Sequence, residues 1–223
     1  MAILTGQEIK NQIQLNRIRI GNYNPNRVQP NSYDLTLGNQ ISFYKLMQYI
    51  NYYSGHDLST RPIYEHLRTN VIDVQKLAAD RYTRRASTSY TTAYLDTAKP
   101  NEMTTENIPA DGYILLPNTL YLVETVESVW SNKYVTEVSG TSSLARLGVT
   151  VHKTAGYANI GHEFKWILEV EVTHPVKIYQ GMKIGQMYFH TIEGDTDMQY
   201  AGKYKNEQMG DTLCGSLNHL NND

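Results

Sequence analysis

Two short segments hold the residue types that could do chemistry. Gly140-Thr141-Ser142-Ser143-Leu144-Ala145-Arg146 sets hydroxyls and a guanidinium on one stretch, and Trp166-Ile167-Leu168-Glu169 places a carboxylate on a later one. Glycine breaks the strand pattern Tyr134–Val138, and Thr141 or Ser142 can cap a helical turn through Leu144-Ala145-Arg146. Free N–H groups at a helix start suit an anion, and Arg146 could add a bidentate contact to phosphate or carboxylate. The same residues also describe a capped surface turn with a solvated arginine. Strand alternation places Trp166, Leu168, Val170 and Val172 on one face and Ile167, Glu169 and Glu171 on the other. The first face reads as core; the second is solvated or lines a site.

The elements around these segments are mostly short strands. Thr5-Gly6-Gln7-Glu8 matches a capping box, with Ile9, Ile13 and Leu15 following at helical spacing. Asn22 to Pro30 is a turn-rich connector, and Tyr33-Asp34-Leu35-Thr36-Leu37-Gly38 alternates like a strand that ends at glycine. Further strand patterns cover Tyr113–Leu116, Leu120–Val126, Lys133–Val138, Val149–His152, Trp166–Val172, Val176–Tyr179 and Ile184–Phe189. This spacing predicts an all-β sandwich or barrel with few helices. Residues 45–110 depart from the pattern. They are rich in Tyr, Thr and Ser, with a predicted helix within Leu58–Ala79 and a basic-aromatic run, Arg81-Tyr82-Thr83-Arg84-Arg85. That run could bind a single strand of nucleic acid or be part of a solvated insertion.

Composition narrows the function class. The 223 residues carry a net charge of −2, which gives no electrostatic footprint for nucleic acid as a partner. The single cysteine, Cys214, excludes an intramolecular disulfide. No apolar run reaches membrane-spanning length and no signal peptide is evident, so the expectation is a soluble, cytoplasmic protein with no membrane partner.

Five ordered segments resemble the dCTP deaminase family of the dUTPase-like superfamily. They are Val28–Gly38, Ile114–Thr125, Ser142–His152 (SSLARLGVTVH), Ile178–Gln186, and a tail with Tyr200, Lys203 and Tyr204. The resemblance implies a distorted jelly-roll or β-clip barrel that assembles as a homotrimer with active sites between subunits. It implies one nucleotide-binding domain over 1–223, an insertion at about 45–110 and a tail at about 195–223 that closes over the site. It also implies zinc-free deamination of a deoxycytidine nucleotide. Zinc deaminases need a Cys-x-x-Cys pair, which a chain with one cysteine lacks. Glu169 would be the general base on a water attacking C4 of cytosine. Ser142 and the Ala155 carbonyl would hold that water, and Arg146 would orient Glu169 or neutralise phosphate. Thr141, Ser143, Leu144, Ala145, Tyr157, Asn159, Ile167, Leu168, Tyr200, Lys203, Glu207 and Gln208 would complete the nucleotide site. Mg²⁺ would arrive on the phosphates, with no metal held by protein side chains.

Several positions depart from the family pattern. Thr141 stands where a basic residue is usual, Asn159 replaces an aspartate, Ile160 a proline, and Glu207 a glutamine. These changes admit dCMP or a modified cytosine nucleotide as substrate beside dCTP. Two other readings remain: a dUTPase or bifunctional deaminase-dUTPase, which Asn159 disfavours, and a non-catalytic nucleotide-sensing or regulatory protein on the same fold.

Overall fold

The computed structural model describes residues 2–44, 95, 101 and 103–198. The chain divides into two units, Met1–Phe43 with Thr105–His219 and Tyr44–Thr104 with Leu220–Asp223. All of the architecture that follows belongs to the first except the last residue of β2, Tyr44, and the start of β3. The proposed helix within 58–79, the run 81–85, and the tail residues Tyr200, Lys203, Glu207 and Gln208 lie outside the described residues.

The strands are β1 (Ile18–Ile20), β2 (Tyr33–Tyr44), β3 (Met103–Asn107), β4 (Tyr113–Leu115), β5 (Tyr121–Ser131), β6 (Tyr134–Ser139), β7 (Val149–Thr150), β8 (Tyr157–Ala158), β9 (Phe164–Val172), β10 (Val176–Ile178) and β11 (Lys183–Thr191). Among the described residues two α-helices accompany them, α1 (Gly6–Gln14) and α2 (Ser142–Arg146), with a 3-10 turn at Pro25–Arg27. One nine-stranded sheet runs β7-β9-β5-β2-β11-β6-β8, with β1 on β5 and β3 on β2, while β10 and β4 form a separate pair. The expected all-β architecture is what the chain adopts.

Local sequence explains most of these elements. Thr5 caps α1 by accepting from Glu8 N–H at 3.3 Å, the first half of the capping box. The second half is absent, because the Glu8 carboxylate turns to the Asn11 and Gln12 side chains instead. β9 buries Trp166, Leu168, Val170 and Val172 and leaves Ile167, Glu169 and Glu171 partly exposed, the alternation read from sequence. The core gathers Tyr33, Leu35, Leu37, Tyr113, Leu115, Tyr121, Leu168 and Phe189 from both faces of the curled sheet. Buried tyrosine hydroxyls find backbone partners: Tyr33 accepts from Asn24 N–H and Tyr121 from Leu116 N–H, each at 2.9 Å.

β2 runs past Gly38 instead of ending there. At Gly38 the backbone passes so close to β5 that a Cβ would lie 2.7 Å from the Glu124 carbonyl, so this glycine marks close strand contact rather than a turn. The ladder slips nearby. The β2–β5 register shifts between Leu37 and Ile41, and β5–β9 shifts between Glu124 and Ser128. Side chains supply the missing backbone bonds. Glu127 accepts from Thr36 N–H at 2.8 Å and Thr36 Oγ1 at 2.5 Å. Thr125 Oγ1 accepts from Trp166 N–H at 3.1 Å and donates to the Glu127 carbonyl at 2.9 Å. Beside β2, Ser42 Oγ lies 2.7 Å from Thr105 Oγ1, and Ile108 N–H reaches the Asn39 carbonyl at 2.8 Å. These two steps place the strands antiparallel. Among the described residues, no helix is long and apolar enough to cross a membrane.

Candidate active site

α2 is a single turn, started by Thr141. Its Oγ1 accepts from Leu144 N–H at 3.4 Å and its carbonyl from Ala145 N–H at 3.0 Å. Leu144 drops into the core, whereas Ser142, Ser143, Ala145 and Arg146 are exposed. Among the described residues, Arg146 has no ion-pair partner. Gly148 closes the turn at φ +71°, where a side chain would collide with Thr173. The chain then enters β7, which pairs Val149 with Val172 and Thr150 with Glu171 on β9.

Continuing that register sets His152 across from Glu169. His152 Nδ1 lies 2.5 Å from Glu169 Oε2, with the imidazole side chain only 8 % exposed and the carboxylate 32 %. The ring nitrogens fall outside strict hydrogen-bond alignment, but at this distance the Nδ1–carboxylate contact is still the leading influence on the imidazole. Lys153 N–H points at the same carboxylate oxygen at 3.5 Å. Burial pushes the Glu169 carboxyl up, but the His152 contact, its charge and the Lys153 N–H outweigh it and hold the group below its ordinary value. Contact with Glu169 raises His152, burial opposes this, and the Ala155 backbone adds to the rise. The two shifts run the same way, favouring the charged carboxylate and the charged imidazole, with the Ala155 backbone beside the ring.

An aromatic row braces the imidazole. His162 stacks on Phe164 at 5.7 Å, Phe164 meets Trp166 edge-on at 5.0 Å, and Trp166 meets His152 edge-on at 6.2 Å. At the row's far end burial lowers His162, opposite to the shift at His152. Lys153 Nζ pairs with Glu171 at 2.8 Å on the Glu169 face of β9.

The structure thus joins Glu169 with Ala155 through His152, a residue absent from the sequence-derived set. A signal for it existed, since alternation through Val149–His152 turns Thr150 and His152 away from the buried Val149 and Val151. Tyr157 and Asn159 are exposed on and just after β8, where Tyr157 leans on His190 at 5.8 Å. Ile167 is half-buried, and Leu168 is fully buried, leaving only its backbone for a ligand. Among the described residues, no hydrogen bond or ion pair joins Ser142 or Arg146 to Glu169. No group of three or more metal-ligating side chains occurs among them either.

The fold and site have the form of a nucleotide-handling β-barrel family, and comparison identifies it. The dCTP deaminase-like family model matches residues 3–53 and 50–192, and the chain belongs to that family. The chain is 31 % identical over 206 residues to a dCTP deaminase, dUMP-forming, of Clostridium acetobutylicum, covering 92 % of each chain. It is 42 % identical over 114 residues to the protein of that name in Leptospira biflexa, covering 51 % of this chain and 66 % of that one. Among solved structures, 2'-deoxycytidine 5'-triphosphate deaminase from Agrobacterium tumefaciens aligns with TM-score 0.52 at 18 % identity, over 85 % of this chain and 48 % of that one. That likeness supports the fold. The family resemblance read from Val28–Gly38, Ser142–His152 and Ile178–Gln186 is borne out.

Proposed function

We propose that this chain is a hydrolase that deaminates a cytosine deoxynucleotide, with dCTP the substrate its relatives' names favour. The observation that carries this reading is Glu169 held ionised by His152 beside the Ala155 carbonyl. A carboxylate base must be unprotonated and within reach of its water. Glu169 takes a proton from a water held by Ser142 and the Ala155 carbonyl, and the water oxygen bonds to C4 of cytosine. That proton passes to ring N3 as the C4–N3 π bond opens, and the second water proton then passes from the C4 hydroxyl to the amino group, which leaves as ammonia as C4 becomes the uracil carbonyl. His152 keeps Glu169 charged between turnovers. Arg146, exposed and unpaired within the described residues, meets the substrate phosphates, and Mg²⁺ comes with those phosphates rather than with a side-chain cage.

Ser142, Arg146 and Leu147, the last 52 % exposed, stand on an open surface of the single chain. This supports a homotrimer in which a neighbour closes the site. Incubation with dCTP, dCDP, dCMP and the uracil series, followed by product separation and ammonia measurement, tests the reading. Ammonia release from dCTP is expected. No release from any cytosine nucleotide, with binding intact, would favour a nucleotide-sensing protein.

A second reading, release of dUMP, is favoured by the names of the Clostridium and Leptospira relatives. Asn159 argues for dUTP as the product, because an amide is no base at neutral pH and retains only hydrogen bonding to a sugar hydroxyl. Pyrophosphate measured from dUTP decides between them, and Asn159→Asp should raise it if the charge is what is missing.

A further inference from the structure

Two side-chain hydrogen bonds tie the start of the hydroxyl-arginine turn to the middle of the sheet. Gln186, on β11, donates from Nε2 to the Gly140 carbonyl at 3.1 Å. Its Oε1 accepts from Ser32 Oγ at 3.3 Å. A side-chain amide has one donating and one accepting end; the Gly140 carbonyl can only accept, so it draws Nε2 and leaves Oε1 to the buried Ser32 hydroxyl. The backbone of Gln186 is itself held from both sides, paired with Asp34 on β2 and Ser139 on β6. Gly140 needs an external restraint. Glycine is the least restricted residue, and a larger one would press on Val151, whose Cγ2 would lie 3.2 Å from an added Cβ. The carbonyl of Gly140 shares a peptide plane with the N–H of Thr141, the cap of α2. Its direction therefore sets the direction of the cap and of everything α2 presents.

We propose that Gln186 is a positioning residue for the active-site turn. The relay Ser32–Gln186–Gly140 aims the turn that carries Ser142 and Arg146, and through Arg146 it sets preference for the number of phosphates on the substrate. This rests on the reading that the turn faces nucleotide phosphates. Nothing in the relay touches the reacting atoms. Its loss should weaken the grip on phosphate and leave Glu169 and His152 in place.

Two measurements test this on the full chain. The first is hydrogen exchange of backbone amides without nucleotide, which needs no assumption about function. Gln186→Met keeps the shape and loses both bonds; Gln186→Glu keeps the acceptor for Ser32 and loses the donor. Both should speed exchange over residues 141–147 while β5 and β9 stay as protected as in the wild type. The second is steady-state kinetics with dCTP and dCMP. KM for dCTP should rise about tenfold, the scale of one lost directional contact, with the dCTP-over-dCMP preference reduced and kcat lowered on both substrates as Ser142 shifts with the turn. Ser32→Ala should move both readouts the same way by less, and it carries the test if the Gln186 variants do not fold. Unchanged exchange at 141–147 overturns the relay. So does an equal loss of kcat on both substrates with KM unmoved, which is what simple loss of folded protein gives. If the wild-type chain turns over no cytosine nucleotide, the functional reading fails, and the exchange comparison alone decides the relay.

Discussion

At the scale of single residues the proposed chemistry turns on one pair, His152 with Glu169. Glu169→Gln keeps shape and hydrogen bonding but removes the base. Its kcat should fall by about 10² or more, with nucleotide affinity nearly intact, and a loss under about tenfold would take Glu169 out of the mechanism. The pair also dictates a pH response. Glu169, with its folded value lowered, stabilises above its unfolded value and loses this as pH falls through the lowered one. His152, with its value raised, stabilises below its unfolded value and loses this as pH rises through the raised one. Activity should therefore persist below the ordinary carboxylate range and decline above the ordinary imidazole range. In His152→Asn the acid limb of kcat/KM should move upward and the alkaline limb should vanish; an unmoved acid limb would separate His152 from the base. Glu169 was legible as a carboxylate on the non-core face of a strand. Its charge state was not, because it depends on a partner that only the β7–β9 register brings across.

At the scale of elements, the strand carrying Glu169 is held where the ladder slips. Thr125 and Glu127 replace backbone bonds at two adjacent irregularities, and both side chains are buried. Thr125→Val keeps the shape but strands Trp166 N–H without its acceptor. A buried donor left unmade costs about 1–3 kcal/mol, to be read as a lower urea midpoint at unchanged slope. A cost near zero would mean that the strands re-register around the gap. Long alternating runs such as Trp166–Val172 were visible in the sequence, since period two is enough to sort their faces. β1, β3 and β8 were not: Ile18-Arg19-Ile20 follows directly on the helical pattern, Met103–Asn107 is polar and lies in the stretch set apart as an insertion, and Tyr157-Ala158 offers only two positions between turn residues. The continuation of β2 past Gly38 was missed because glycine serves a turn and a tight strand crossing equally well.

At the scale of the whole molecule, no hydrogen bond or ion pair within the described residues joins Ser142 or Arg146 to Glu169, and a site shared between subunits would bring them together. Light scattering at micromolar concentration should report a trimer. Co-refolding Ser142→Ala with Glu169→Gln should restore part of the activity that each lacks, since mixed assemblies contain some sites with both residues intact. A monomer, or no recovery despite mixing, would place all catalytic groups on one chain.

The hydrogen bond between Ser42 and Thr105 has a consequence for how this gene can change. Ser42, near the end of β2, and Thr105, near the start of β3, stand side by side on neighbouring strands, so the two ends of the span that joins them lie close together. Closing a loop between such points depends only weakly on how many residues it contains. The span between them is then an exchangeable cassette: its length and content can be rewritten, or replaced by a tight hairpin turn, without re-threading any strand that carries Glu169, His152 or the turn at Gly140. Selection acting on that span would be free to add regulation or a new contact while leaving the chemistry as it is.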